Sequence, residues 1–462
     1  MRYVSTRGQA PDLSFEEAML TGLARDGGLY LPETIPVLSH AEIAAFEGLP
    51  YEEVAYRVMA PYVGDAFSEE EFRGIIARAY EPFAVTAKAP LKQLAPGHFL
   101  LELFHGPTLA FKDFAMQLIG QLFEASLKRS GSRVCIVGAT SGDTGSAAIE
   151  AFRGLEAVDV FILYPHGRVS EVQRRQMSTP AEANVHALAV DGHFDDCQAR
   201  VKDMFNDYQF RDAVGLAGVN SINWARVLAQ VVYYFTSAVS LGAPHRKVSF
   251  TVPTGNFGDI FAGFIAKRMG LPIDRLVVAT NQNDILHRCL RTGEYRPDSV
   301  IPTISPSMDI QVSSNFERAL FMAYDRDGAA VAQLMDELKD GGFSVSQGAR
   351  EALAEIYDSG RVSEDETRAE IGRQVKASGE LLCPHTAVGT AVAETHLSTG
   401  TPMITLATAH PAKFPAAVEE ASGIHPPLPP HMADLYERSE RITRIADDLS
   451  AIESLIRERT GT

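Results

Sequence analysis

Cysteine is scarce: four residues, at 135, 197, 289 and 383, with no CxxC pair among them. Such spacing offers no disulfide framework and no zinc pattern, and it suits a reducing cytoplasm. Positive charge is also short. Lys and Arg number 42 against 59 Asp and Glu, for a net charge of −17. A general nucleic-acid or anionic-membrane binder needs clustered basic residues, so neither class is expected. A local basic pocket for one small anion stays compatible. Apolar stretches such as "VVYYFTSAV" from Val231 fall far short of the ~20 residues of a bilayer span. The opening segment Met1–Glu17 has no apolar run of signal-peptide length. Internal repeats and low-complexity tracts are absent from the sequence.

What is present is an ordinary globular composition, 45% apolar and 22% charged. A chain of 462 residues exceeds one core of usual size, so two or more packed units are expected. Residues 12–90 read mainly as helices. "DLSFEEAMLTGLA" offers a capping box, Ser14 with Glu17, and Phe15, Met19 and Leu23 follow at helical spacing. "EFRGIIARAYEPF" predicts a second helix that stops near Pro82.

From about residue 96 short apolar runs alternate with helical patterns. "RVCIVGAT", "VDVFILYP", "NVHALAVDG", "KVSFTVPT", "RLVVATN" and "PMITLATA" read as strands. "SAAIEAFRG", "FDDCQARVKDMFND", "NWARVLAQVVYYFTSAV" and "IFAGFIAKRMG" read as helices between them. The alternation predicts an α/β fold, with parallel sheets covered on both faces and ligands at the carboxyl ends of the strands. Residues 281–380 interrupt this rhythm as an insertion, with a helical stretch over about 328–378. "HPPLPPH" near 425 reads as an extended connector. The tail from Ser439 reads as a surface helix.

Four places carry chemistry. "TGNFGD", 254–259, joins a strand to a helix, and its exposed amides and the helix dipole make an anion pocket. Alone, a GxxG loop is as readily an unliganded turn. "ATSGDTGS", 139–146, also opens a helix; its hydroxyls suit a carboxylate, or Ser141 and Asp143 simply cap the helix. It is neither a Walker A loop nor GxGxxG. Lys112 precedes the apolar residues Phe114, Ala115, Met116, Leu118 and Ile119. A lysine there either snorkels to water or loses its proton and can form an imine with an aldehyde. Pyridoxal 5′-phosphate (PLP) carries both an aldehyde and an anion for the 255–259 loop. Thr408 ends a strand, where its hydroxyl could meet a pyridine nitrogen or serve no ligand at all.

These motifs together resemble the threonine synthase family, fold-type II PLP enzymes of the tryptophan synthase β group. The resemblance runs nearly end to end: "DGGLYLP", "FHGPTLAFKD", "GATSGDTGSAA", "NSINWAR", "PTGNFGD", "SSNFERAL" and "ATAHPAKFP". It is similar to the longer bacterial and fungal subclass. The resemblance implies two parallel-sheet α/β lobes plus a helical N-terminal domain. The expected divisions are 1–95 for that domain, 96–430 for the PLP-binding region with its 281–380 insertion, and 431–462 for a C-terminal helix.

The resemblance also implies roles. Lys112 is the expected imine-forming lysine and catalytic base. Gly255, Asn256, Phe257 and Gly258 are expected at the cofactor phosphate, with Asp259 adjoining, and Thr408 at the pyridine nitrogen. Ser141, Gly142 and Thr144 are expected at the substrate carboxylate, with Asp143 near the ring oxygen. Many relatives carry Asn at that place, and an anionic Asp would repel a phenolate oxygen. Arg226 and Arg318, helped by Asn223, Ser314 and Asn315, are the candidates for the substrate phosphate; either Arg could instead pair with a carboxylate. No metal is expected. The implied activity is conversion of O-phospho-L-homoserine and water to L-threonine and phosphate, in a cytoplasmic monomer or homodimer without nucleic-acid or membrane partners. The competing readings are a serine/threonine dehydratase or β-replacement enzyme on the same cofactor, and a non-catalytic binding protein of the same fold.

Overall fold

Strand Val158–Pro165 is buried along its whole length, as a parallel strand covered on both faces must be. The computed structural model describes residues 1–140 and 142–462. Val158–Pro165 lies at the centre of a five-stranded sheet, ordered Thr443–Ala446, Val185–Asp191, Val158–Pro165, Val134–Ala139, Leu216–Ala217. Every pairing in it is parallel. A six-stranded sheet runs Tyr357–Arg361, Ile273–Thr280, Val248–Pro253, Met403–Ala407, His98–Glu102, Leu91–Ala95. All its pairings are parallel except the terminal hairpin formed by Leu91–Ala95 and His98–Glu102. The two sheets are the two lobes.

Helix Trp224–Ser240 is apolar all round, and all but two of its 17 residues are buried. It packs against helices Tyr51–Val63, Lys112–Ser130 and Gly258–Arg268, so it ties the N-terminal helices to the α/β part of the chain. Tyr3 and Tyr62 lie against the Trp224 ring at 6.1 and 5.8 Å between centroids. The capping box forms as the sequence requires: Ser14 and Glu17 close the start of helix Phe15–Thr21. Phe15 and Met19 are buried, but Leu23 is not; the helix stops at Thr21, Gly22 takes φ +69°, and Leu23 is 48% exposed.

Two expectations need correction. The stretch 328–378 is not continuous helix. Helices Gly328–Lys339, Gln347–Ala354 and Glu364–Ser378 are separated, and Tyr357–Arg361 is an edge strand of the six-stranded sheet. Its sequence, YDSGR, is polar because only Tyr357 and Ser359 point inward. The tail is likewise more than a surface helix. Thr443–Ala446 pairs with Val185–Asp191, and helix Leu449–Thr460 buries Ile452 and Ile456 against helices Phe194–Asn206 and Tyr208–Val214. All four cysteines are buried free thiols. Among the described residues, no helix is long and apolar enough to cross a membrane, and no cluster of His, Cys, Asp or Glu could hold a metal.

Candidate active site

Lys112 opens helix Lys112–Ser130. Its position is fixed from behind: Phe111 N–H donates to Thr408 O at 2.8 Å, and Ala110 bridges Ala409. The carboxylate of Asp113 accepts Thr108 N–H at 2.8 Å and the Thr108 hydroxyl. Gly106 is required there, since a Cβ would lie 2.5 Å from the Asp113 side chain. The Lys112 side chain is only 12% exposed, and its Nζ stands 3.8 Å from Asp143 Oδ2. Burial pushes the amine down to about 8, with Asp143 opposing and the charges of Arg226 and Lys413 adding to the fall.

Asp143 begins helix Asp143–Phe152, after strand Val134–Ala139. Thr140 Oγ1 accepts N–H from Gly142 and Gly145 at 2.9 Å each. Gly142 has φ +138°, and a Cβ there would strike the Gln173 side chain at 2.3 Å. Ser141 lies outside the described residues. Thr144, in the first turn of the helix, is half-buried. The Asp143 carboxylate is surrounded. Oδ1 takes Lys413 Nζ at 2.9 Å and Gln173 Nε2 at 3.0 Å, while Oδ2 takes Ser307 Oγ at 3.3 Å. Burial alone would raise this carboxyl; Lys413, Lys112, His385 and the Gln173 bond outweigh it and hold the group well below the usual carboxylate range. His385 Nε2 accepts Ser307 N–H at 3.2 Å, leaving Nδ1 buried without a partner among the described residues. Burial pushes His385 down to about 4, so it is neutral at pH 7.

The 255–258 loop ends strand Val248–Pro253 and leads into helix Gly258–Arg268. Phe257 takes φ +64°, which turns successive amides to one side. Among the described residues, the N–H groups of Gly255, Asn256, Phe257 and Gly258 meet no protein acceptor. Ser313 Oγ donates to Gly255 O at 2.7 Å, and Ser314 Oγ donates to Asn256 Oδ1 at 3.2 Å, so segment 313–315 braces the loop. Asp259 differs from its neighbours. Its Oδ1 accepts Tyr233 OH at 2.6 Å and Tyr234 OH at 3.0 Å, and burial pushes it up to about 7. Its side chain is therefore committed to the packing of helix Trp224–Ser240. Thr408 is buried just past strand Met403–Ala407, with its hydroxyl unpartnered among the described residues.

Arg226 is buried, and among the described residues its only acceptor is Val219 O at 3.2 Å and Nε has none. Arg318 is different. Nε and Nη2 donate to Tyr30 O at 3.1 and 2.6 Å, Nη2 also reaches Ile222 O at 2.6 Å, and Nη1 donates to Asn315 Oδ1. Arg318 thus ties the N-terminal residues to the loop before Trp224, in line with neither an open phosphate fork nor a surface ion pair. Asn223 is also spent: it caps Ala225 N–H at 3.0 Å and donates to Met19 O at 2.7 Å. Asn315 Nδ2 donates to Ser221 O at 3.0 Å.

Three family models match the chain: threonine synthase N terminus over residues 2–80, pyridoxal-phosphate dependent enzyme over 85–337, and threonine synthase C-terminal over 386–456. The threonine synthase of Pseudomonas aeruginosa is 54% identical, covering 99% of this chain and 98% of that protein. The chain belongs to the threonine synthase family of pyridoxal-phosphate-dependent enzymes. Among solved structures, the PLP-bound threonine synthase of Brucella melitensis superposes with a TM-score of 0.98 at 54% identity, covering 100% of both chains. The yeast threonine synthase gives a TM-score of 0.94 at 41% identity, over 100% of this chain and 99% of that one.

The residues present fit the family's cofactor: among the described residues there are a desolvated amine at Lys112, loop amides at 255–258 without protein acceptors and an unpartnered strand-end hydroxyl at Thr408. Ser307 links the loop to the lysine, since a Cβ at Gly255 would lie 2.7 Å from Ser307 O while the Ser307 hydroxyl bonds Asp143 beside Lys112. Lys413, His385, Gln173 and Ser307 surround Asp143 and escaped the sequence reading. For Lys413 a signal existed. It stands between Ala412 and Phe414 in "HPAKFP", the same oddity that marked Lys112.

Proposed function

We propose that the chain converts O-phospho-L-homoserine and water to L-threonine and inorganic phosphate. The observation that carries this reading is Arg226: a buried guanidinium with no carboxylate partner among the described residues, close enough to depress the Lys112 amine. A buried cation left unpaired by the protein calls for an anion from the substrate. PLP, when bound, supplies the electron sink for carbanionic character on the substrate. The amides of Gly255, Asn256, Phe257 and Gly258 would hold its phosphate, with Asp259 contributing only backbone, and Thr408 would face its ring nitrogen. Lys112 would link to it and, once displaced, take the proton from the substrate α-carbon. Its lowered affinity for a proton suits a base near neutral pH. Ser141, Gly142 and Thr144 would bind the substrate carboxylate, Asp143 would lie near the ring oxygen, and Ser314 and Asn315 would line the phosphate end. Arg318 and Asn223 would act from behind as positioning groups. The reading sets the enzyme in the cytoplasm, where four buried thiols stay reduced.

The test is an assay of PLP-loaded protein with O-phospho-L-homoserine. Phosphate and threonine should appear in equal amounts. No phosphate release rejects the activity, and 2-oxobutyrate in place of threonine assigns a dehydratase instead.

A further inference from the structure

Asp143 raises a conflict of charge, because a carboxylate beside a PLP ring oxygen would be repelled. The protein supplies a second cation. Lys413 is fully buried, and its Nζ lies 2.9 Å from Asp143 Oδ1 and 2.7 Å from Thr108 O. Gln173 saturates the same Oδ1 at 3.0 Å, which leaves Oδ2 facing Ser307 at 3.3 Å and Lys112 at 3.8 Å.

We propose that Lys413 is a positioning residue for the proton chemistry of Lys112: it pairs with Asp143 through Oδ1 as a fixed countercharge, so that the carboxylate does not depend on Lys112 for its cation. The inference rests on Lys112 being the base of the proposed reaction. Without Lys413, loss of the Lys112 proton would strand a buried carboxylate, and one repelling cation would also be gone. Both effects make Lys112 hold its proton more tightly. The charged and titratable groups facing Lys112 are Asp143 from helix Asp143–Phe152, Lys413 from the Pro411–Lys413 turn, Arg226 from helix Trp224–Ser240 and His385 from helix Pro384–Glu394. Asp113, on the Lys112 helix itself, faces Lys413. Among the described residues, Lys413 is the one charged group of these that holds Oδ1, beside the neutral Gln173 amide.

Competitive acetylation of the full-length, PLP-free protein reads this directly. Acetylation of Lys112, followed by peptide mass spectrometry from pH 6 to 11, gives the pH at which its amine is half-deprotonated. Lys413→Met should raise that midpoint by about one pH unit or more, Lys413→Arg should leave it near the parent value, and Asp143→Asn should lower it. A folded Lys413→Met protein with lower stability and an unmoved midpoint would make Lys413 merely structural and overturn the proposal. If Lys413→Met does not fold, the double variant Asp143→Asn/Lys413→Met, which buries no unpaired charge at the pair, is compared with Asp143→Asn alone. Its midpoint should lie higher, and no rise overturns the proposal. Lys112→Ala separates the two readings: near-normal threonine formation by that variant would reject Lys112 as the base, whereas an unmoved midpoint rejects only the role of Lys413.

Discussion

Two arginines from the NWAR and NFER motifs differ in how far the protein uses their donors. Among the described residues, Arg226 keeps a buried Nε without an acceptor, while Arg318 spends its donors on Tyr30, Ile222 and Asn315. Arg226→Met should therefore lower kcat/KM for O-phospho-L-homoserine by about 10²-fold or more, the cost of removing one partner of a buried charge pair, with little loss of melting temperature. Arg318→Met should do the reverse first: it strands the buried Tyr30 carbonyl and the half-buried Ile222 carbonyl and should cost about 2–4 kcal/mol of stability. Steady-state kinetics and thermal unfolding of both variants check the contrast. Equal kinetic defects with equal stabilities would erase the distinction. Asp259 makes a pH prediction. Burial raises its folded-state pKa to about 7 from the usual 3.8, so the folded protein holds a proton that the unfolded chain has lost. Its contribution is full below pH ~4 and disappears as pH rises toward 7. The melting temperature of Asp259→Asn, relative to the parent, should climb across that window; a flat difference would mean that Asp259 does not titrate there.

At the scale of elements, the strands were legible where burial on both faces wrote continuous apolar runs, as in "VDVFILYP", and the capping box at Ser14 was legible from two residues. Tyr357–Arg361 and Thr443–Ala446 were not, because edge strands keep one side in water and read as loops. The site was legible where its chemistry sits in glycine-rich turns, and hidden where it depends on distant partners. No spacing in the sequence connects Asp143 to Lys413, 270 positions away. The Lys112 and Asp143 helices are pressed together at Gly120, where a Cβ would fall 2.3 Å from Ala151 O. Gly120→Ala gains ~0.5–1 kcal/mol of intrinsic helix preference but must push backbone away from backbone, an overpacking cost of about 1–3 kcal/mol or more. The variant should melt lower. It should also turn over more slowly, since both helices carry site residues at their first position. Unchanged kcat with a lowered melting temperature would show that the helix starts do not move.

For the whole molecule, the tail is part of a lobe rather than an appendage. Ile452 and Ile456 join the cluster of Cys197, Phe210 and Val214 on the far face of the five-stranded sheet. Ile456→Ala should cost about 2–5 kcal/mol, the usual loss for a buried isoleucine, and leave kcat within about twofold, because its cluster contains none of the candidate site residues. Differential scanning calorimetry beside steady-state assays checks this, and a large kinetic loss would mean the lobe transmits the change. The order of the six-stranded sheet has another consequence. Strand Met403–Ala407 lies between Val248–Pro253 and His98–Glu102, although it follows both by 150 residues or more in the chain. Until it docks, the hairpin before Lys112 has no sheet to join, and Thr408 and Ala409 are not there to seat Phe111 and Ala110. Closing so distant a pairing is slow. Lys112 thus reaches its station only once that late strand has docked, and a copy folded without it has no seat for the Lys112 amine.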